Sequence, residues 1–289
     1  MLKTHYGFRY KDPEDSLMVI RGIGWESTSN EDYRWDGWTR GDKFVAFQYT
    51  LSGEGHLIYD GKHYAVPPGH GFFVRIPDRH CYYYQSDSQA PWEFVFLTAE
   101  GSHVFSYWNE IVEKNGPVVA LDPSSRPIAM LWEMMRGADD RTLTDKYEIS
   151  VRLYEWIVSC LRALEGKGEI ERSVPDAVEK ARAFMESRYH LPLTLEDIAA
   201  AAGASKYHFC RQYVKYAGMT PVQHLSRIRI AEASRMLRET NASIASIAVA
   251  AGFDNSSYFG KVFRKLTGTS PQQYRDGSDA SPAKPIFVE

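Results

Sequence analysis

The chain has 289 residues, a formal net charge of −3, 44% hydrophobic and 25% charged residues, enough for two domains that each bury a core. Its three cysteines, Cys81, Cys160 and Cys210, form no CxxC pair, which excludes a disulfide framework and points to a reducing cytoplasm. No run approaches the ~20 apolar residues of a membrane span and residues 1–6 lack an apolar signal core, so a soluble, cytoplasmic protein with no membrane partner is expected.

The small net charge hides an asymmetry. Residues 1–174 carry a net −7, residues 175–275 a net +6. A basic module joined to an acidic one implies that the second part alone meets a polyanion.

Residues ~15–100 read as short strands broken by turns. Phe44–Leu51 is apolar and aromatic and ends at Gly53-Glu-Gly55. His56–Tyr59 follows, with Asp60-Gly61 as a hairpin turn. Pro67-Pro-Gly69 and Pro77-Asp78 bracket Phe72–Val74, and Trp92–Thr98 is the clearest strand. Many short strands at this spacing predict an antiparallel sandwich or small barrel. From about Ser124 the period becomes helical, over Arg126–Gly137 and Thr144–Leu164. The second stretch carries the stripe Leu153, Trp156, Ile157, Cys160, Leu161 and Leu164, which fits either packing on the barrel or a partner helix. Residues 166–174 read as an interdomain linker. A helix is expected over Val174–Tyr189 and a long one over Pro221–Arg238, and residues 276–289 read as a flexible, frayed tail.

Between and after these helices one device is written twice. Leu195–Gly203, Ser205–Lys215, Gly218 and Thr220-Pro221 are followed about fifty residues later by Ile244–Gly252, Asn255–Lys265, Gly268 and Ser270-Pro271. A short Ala-rich helix, a glycine turn and a longer basic helix describe a helix-turn-helix, whose second helix enters the DNA major groove. Two units, 195–217 and 244–267, imply two successive grooves of double-stranded DNA. Gly203 and Gly252 stand where the chain leaves one helix through a tight or left-handed turn. Ser205 is expected to cap the first recognition helix, and Asp254 or Asn255 the second. Helical spacing turns Phe209, Tyr213 and Val214 inward in the first copy, and Phe259, Val262, Phe263 and Leu266 in the second. That leaves Lys206, Tyr207, Cys210, Arg211 and Lys215 outward in the first. In the second it leaves Asn255, Ser256, Ser257, Lys261 and Arg264, with Gly260 among them. These are the candidate DNA-binding residues.

The run Gly252-Phe-Asp-Asn-Ser-Ser-Tyr-Phe-Gly-Lys-Val-Phe-Arg-Lys-Leu-Thr-Gly-Thr-Ser-Pro-Gln-Gln-Tyr-Arg275 resembles the signature segment of AraC/XylS-type transcriptional regulators. The resemblance covers 175–275. It implies a seven-helix module whose two recognition helices enter adjacent grooves on one DNA face, and RNA polymerase as a further partner. Cys210 and Gly260 stand where relatives often have larger polar groups.

The first half resembles the cupin-like sensor of arabinose-type regulators through Gly53-x-Gly55, Gly61, Pro68-Gly69, Pro77 and His80-x-Tyr82. A small barrel of this kind has room for one ligand. The family's sugar-contacting positions fall on Trp38, Tyr82, Phe94 and Phe96. Arg40 stands two residues beyond Trp38, where a relative has arginine at the Trp38 position, and Phe94 replaces a histidine. Trp92, Phe94 and Phe96 alternate onto one strand face, where they either stack on a flat ligand or fill the barrel. Together with His80 these seven form the candidate ligand site. His56, His63 and His80 offer a rival metal reading, but the His-x-His pair of enzymatic cupins does not occur. No catalytic residues, cofactor or metal are assigned.

The expectation is an α+β protein with a cupin-like antiparallel β-barrel and helical hairpin followed by an all-α double helix-turn-helix domain. The boundaries are 1–120 for a sensing barrel with an N-terminal arm, 121–165 for a hairpin that dimerises in relatives, and 175–275 for DNA binding. The function expected is a homodimeric activator answering a small-molecule effector, a sugar first among candidates. A ligand-independent DNA-binding regulator and a metal-dependent cupin enzyme fused to DNA-binding helices are the alternatives.

Overall fold

A computed structural model describes residues 2–12, 14, 16–85, 91–166, 176–217, 219–267, 269–276 and 284–289. They divide into two compact units, 5–166 with 284–289, and 176–276 with 2–4.

The first unit is built on two sheets. The larger has the strand order β10(Val118–Ala120), β7(His70–Ile76), β4(Phe44–Ser52), β9(Trp92–Glu100), β2(Val19–Thr28), β1(Leu2–Tyr10), β11(Lys284–Val288). The smaller runs β3(Arg34–Asp36), β8(His80–Tyr83), β5(Gly55–Tyr59), β6(Lys62–Val66). Residues directly opposite in an antiparallel pair share a face, so the register settles what lies between the sheets. Glu26 faces Phe94, Thr28 faces Trp92, and Gln48 faces both Phe96 and Phe72. From the smaller sheet Leu57 and Tyr82 join the same buried cluster as Phe44, Phe72, Trp92 and Phe94.

The opposite face of the larger sheet is buried too, because helices cover it. They are α1(Ser102–Asn115), α2(Arg126–Asp139) and α3(Lys146–Leu164). Trp156 of α3 meets Phe47 at 5.2 Å and Trp108 of α1 at 5.8 Å between ring centroids, and its indole N–H donates to the Pro127 carbonyl at 3.0 Å. Leu153, Trp156, Ile157 and Cys160 are fully buried there, so packing within the unit accounts for this part of the broad apolar stripe of α3. Strands covered on both sides need apolar residues at every position rather than alternation, and β4 and β9 read that way.

Two features depart from the sequence expectation. Helix α1 falls in a stretch rich in aromatic and β-branched residues that follows a strand, yet Val104, Trp108 and Ile111 sit at helical spacing and are all buried. The expected frayed tail contains β11, which pairs in parallel with β1 from Tyr6↔Lys284 to Tyr10↔Val288.

The second unit contains seven helices among the described residues: α4(Asp176–Arg188), α5(Leu195–Ala201), α6(Lys206–Ala217), α7(Pro221–Glu239), α8(Ile244–Ala250), α9(Ser256–Thr267) and α10(Pro271–Arg275). The recurring Thr-Pro and Ser-Pro pairs are helix starts. Thr220 and Ser270 close capping boxes with Gln223 and Gln273, and the prolines occupy the first turn, where no N–H is missed. Gly203 and Gly252 have φ of 68° and 85°, the left-handed turn that each copy needs. Helix α7 runs between the copies and buries Leu225, Ile230, Ala233 and Leu237. Of the expected linker 166–174, only Gly166 is among the described residues.

Candidate nucleic-acid interface and sensor interior

In each copy aromatic residues fix which face of the recognition helix is free. On α6, Phe209 and Tyr213 are buried and Val214 half-buried. The Tyr213 hydroxyl is hydrogen-bonded to Nδ1 of buried His224 on α7. Burial holds that imidazole well below its ordinary pKa, so it is neutral. On α9, Phe259 and Phe263 are buried, with Phe263 edge-on to Tyr274 at 5.4 Å.

The remaining faces are open. Lys206, Tyr207, His208 and Arg211 are exposed on α6, Tyr207 at 81%, while Cys210 and Gln212 are half-buried. Lys206 is already paired with Glu196 of α5, so part of its charge is spent within the unit. The Lys215 side chain lies outside the described residues. On α9, Ser256, Ser257, Tyr258, Lys261, Arg264 and Lys265 are exposed and Gly260 half-buried. Asn255 is the cap, its Oδ1 accepting from the Ser257 and Tyr258 amides at 2.8 and 3.1 Å. Sequence reasoning passed over His208 and Tyr258, which share the open faces and each follow a residue already placed outward.

Between the sheets the structure gathers most of the expected ligand residues. Trp92 and Phe94 are fully buried with ring centroids 4.5 Å apart, and Phe96 is half-buried beside them. Trp92 donates its indole N–H to Thr50 Oγ1 at 3.0 Å. Arg40 lies over the rings of Trp35 and Phe44 at 5.0 and 4.7 Å and donates to the Tyr82 hydroxyl at 3.3 Å. Burial pushes the Tyr82 phenol up to about 12, against the opposing pull of Arg40. His80 stacks on Tyr82 at 6.0 Å with the rings 6° from parallel. It is only 4% exposed, and neither ring nitrogen has a hydrogen-bond partner among the described residues. A Cβ on Gly37 would fall 2.1 Å from the His80 ring, so the chain closes on that imidazole only because residue 37 has no side chain.

Trp38 is not part of this group. It is 66% exposed, in the turn after β3, with the Arg79 guanidinium 6.0 Å from its ring. The turn carries Trp38 outward and brings Arg40 to the interior instead. Two buried polar side chains were missed, Glu26 and Gln48. The Gln48 side chain hydrogen-bonds Tyr33, while its Oε1 is buried without a partner among the described residues. The three histidines of the metal reading do not converge. His63 is exposed, His56 stacks on Tyr83 at 5.2 Å, His80 is buried, and no group of three metal-ligating side chains occurs among the described residues.

Comparison with known proteins bears on both units. A helix-turn-helix domain family matches residues 198–277, and the AraC-like ligand binding domain family matches 27–157. The MmsAB operon regulatory protein of Pseudomonas aeruginosa is 39% identical over 236 residues, covering 78% of this chain and 73% of the relative. The chain belongs to the AraC-type family of transcriptional regulators. The transcriptional activator RhaS of an Enterobacter species is 26% identical over 236 residues, 79% of this chain and 84% of its own. Among solved structures, the DNA-binding domain of AdpA in complex with a target DNA matches 35% of this chain and 92% of its own at 28% identity and a TM-score of 0.34. An AraC-type chain of this composition is a DNA-binding regulator with a ligand-binding domain, not an enzyme. No described helix is long and apolar enough to cross a membrane.

Proposed function

We propose that this protein is a cytoplasmic activator that answers a sugar held between the sheets of its first unit. The observation that carries the reading is the state of the sensor interior. Buried imidazole nitrogens on His80 and a buried Gln48 oxygen lack partners among the described residues, beside the stacked faces of Trp92, Phe94 and Tyr82. Unpaired buried polar groups are costly, and a ring that presents hydroxyls at its edge and C–H groups on its face would satisfy both. Arg40 and Glu26 supply a cation and a carboxylate for further hydroxyls.

DNA is engaged through α6 and α9 in successive major grooves, with Lys206, Tyr207, Cys210, Arg211 and Lys215 on the first. Asn255, Ser256, Ser257, Lys261 and Arg264 serve the second. The protein acts as a homodimer that recruits RNA polymerase. The outward row Tyr147, Val151 and Tyr154 of α3, all exposed, supports the dimer, which sedimentation tests. Ligand shifts the population between two placements of the DNA-binding units.

Mutual packing of Tyr33, Trp92 and Phe94 favours a second reading, a filled interior and a ligand-independent regulator. A thermal-shift screen of the whole protein against monosaccharides separates them. A sugar at 100 times its Kd stabilises by about 2.7 kcal/mol, and a flat response to every sugar would favour the second reading.

A further inference from the structure

Two observations meet at β1. On one side lies β11, the strand that follows the DNA-binding unit in the chain. It pairs with β1 over five residues, and its hold continues past the strand. Lys11 donates its amide to the Val288 carbonyl at 3.2 Å, the Glu289 amide donates to Thr144 at 3.0 Å, and the Lys146 amide donates to Glu289 at 3.4 Å. Ile286 and Val288 are 3% and 2% exposed. The chain therefore leaves the sensor before α4 and returns to it after α10, so the DNA-binding unit is attached at both ends.

On its other edge β1 adjoins β2, and one of its side chains reaches across to the sensor interior. The His5 ring meets Phe96 edge-on at 5.2 Å, and Phe96 ends the row Trp92, Phe94, Phe96. Between that row on β9 and β11 stand two strands, β2 and β1, and the His5 ring crosses β2 at Gly22, where a Cβ would fall 2.7 Å from it. Whatever shifts Phe96 presses on the strand to which β11 is bonded. A parallel ladder of five residues at a sheet edge is also among the weaker pairings, which suits a contact made to be released.

We propose that residues 284–289 form a releasable strap, a second attachment of the DNA-binding unit whose hold is set by the state of the sensor interior through Phe96, His5 and β1. Docked, it limits the placements open to the DNA-binding unit; released, it leaves that unit attached only through the segment before α4. The inference goes beyond the sugar reading and holds for any occupant of the interior.

The test begins with Arg9→Cys combined with Phe287→Cys in the full chain. These positions are register partners, both exposed. Neighbouring strands lie about 4.8 Å apart, within the roughly 4.4–6.8 Å that a disulfide spans. The expected result is an intrachain 9–287 disulfide, migrating as monomer without reductant and identified by peptide mapping. No such link, or one found only between chains, overturns the docking. Hydrogen exchange then reads the connection to the interior. In Phe96→Ala, or in the milder Phe96→Leu should the first not fold, amides of 286–288 should exchange about tenfold faster while those of β4 and β7 keep their protection. Unchanged exchange at 286–288 breaks the connection. Finally, the double-cysteine protein is titrated against a duplex selected from a random pool by the wild-type chain. The oxidised form should bind about fivefold more weakly than the reduced form. Equal or tighter binding when oxidised overturns the regulatory role. None of these readouts uses a sugar, so failure of the sugar screen would leave the strap standing.

Discussion

His80 makes the sensor unit sensitive to acid in a way that can be worked out beforehand. Burial is the largest influence on its imidazole, with the Arg40 guanidinium adding to it, and together they pull the pKa from 6.5 down to about 4 despite Asp78 and Asp36 nearby. The unfolded chain takes up the proton near pH 6.5, the folded one only near 4. The stability from keeping this ring neutral is therefore complete above pH 6.5 and is lost as pH falls from there to about 4. At 1.36 kcal/mol per pKa unit, roughly 2.5 kcal/mol has gone by about pH 4.5. For a unit of roughly 170 residues that corresponds to a fall in Tm of about 7 °C. The assay is calorimetry of wild type and His80→Phe at pH 7 and pH 4.5. Phenylalanine keeps the stacking on Tyr82 and the fit against Gly37 but cannot take a proton. Every other titratable group is present in both proteins, so the difference between the two pH responses reports on residue 80. If His80→Phe loses as many degrees on acidification as wild type, the ring is not held neutral in the folded protein and the argument for an unsatisfied interior fails with it.

Arg211→Ala and Lys261→Ala should each weaken duplex binding about tenfold and lower the slope of log affinity against log salt by about 1, with unchanged melting; wild-type affinity in both would mean that the faces assigned to α6 and α9 are wrong. Asn255→Ala removes the acceptor for two amides at the start of α9 and should cost the helical unit about 1 kcal/mol, with Asn255→Asp restoring most of it in a urea titration. Phe263→Ala opens a cavity beneath α9 and should cost about 3–5 kcal/mol, read as loss of the helical unit's melting transition while that of the sensor stays in place. Tyr213→Phe strips the partner from buried His224 and should cost about 1–3 kcal/mol; a neutral result in denaturant would show that water or another group satisfies that imidazole.

The doubled device was legible because each recurring residue has a local task. A capped threonine or serine before proline starts a helix, a glycine at positive φ turns the chain, and an aromatic four residues after another makes one face of a recognition helix. Such tasks are visible within a dozen residues. The sensor interior was half legible. Trp92, Phe94 and Phe96 announce themselves by alternation, but β2 and β4 are covered on both faces, so no polar alternation marked Glu26 or Gln48. A lone amide inside the apolar run Phe44–Leu51 was the available signal. Trp38 was placed by resemblance to relatives, and the turn after β3 reverses the roles of Trp38 and Arg40. Helix α1 was hidden by its strand-like composition. The pairing of β1 with β11 joins residues near opposite ends of the sequence, and nothing in five residues containing a proline states which distant edge they will meet.

That same pairing orders events during synthesis. The helical unit lies between Tyr6 and Lys284 in the chain, so the larger sheet gains its outermost strand only after that whole unit has been produced. Contacts of such sequence separation form late and slowly, and until then β1 presents a bare ladder of amides and carbonyls, the kind of edge that joins to a neighbouring chain. A short strand carrying Pro285 then covers it. The nascent protein is thus most open to strand exchange with another copy of itself in the interval before β11 arrives.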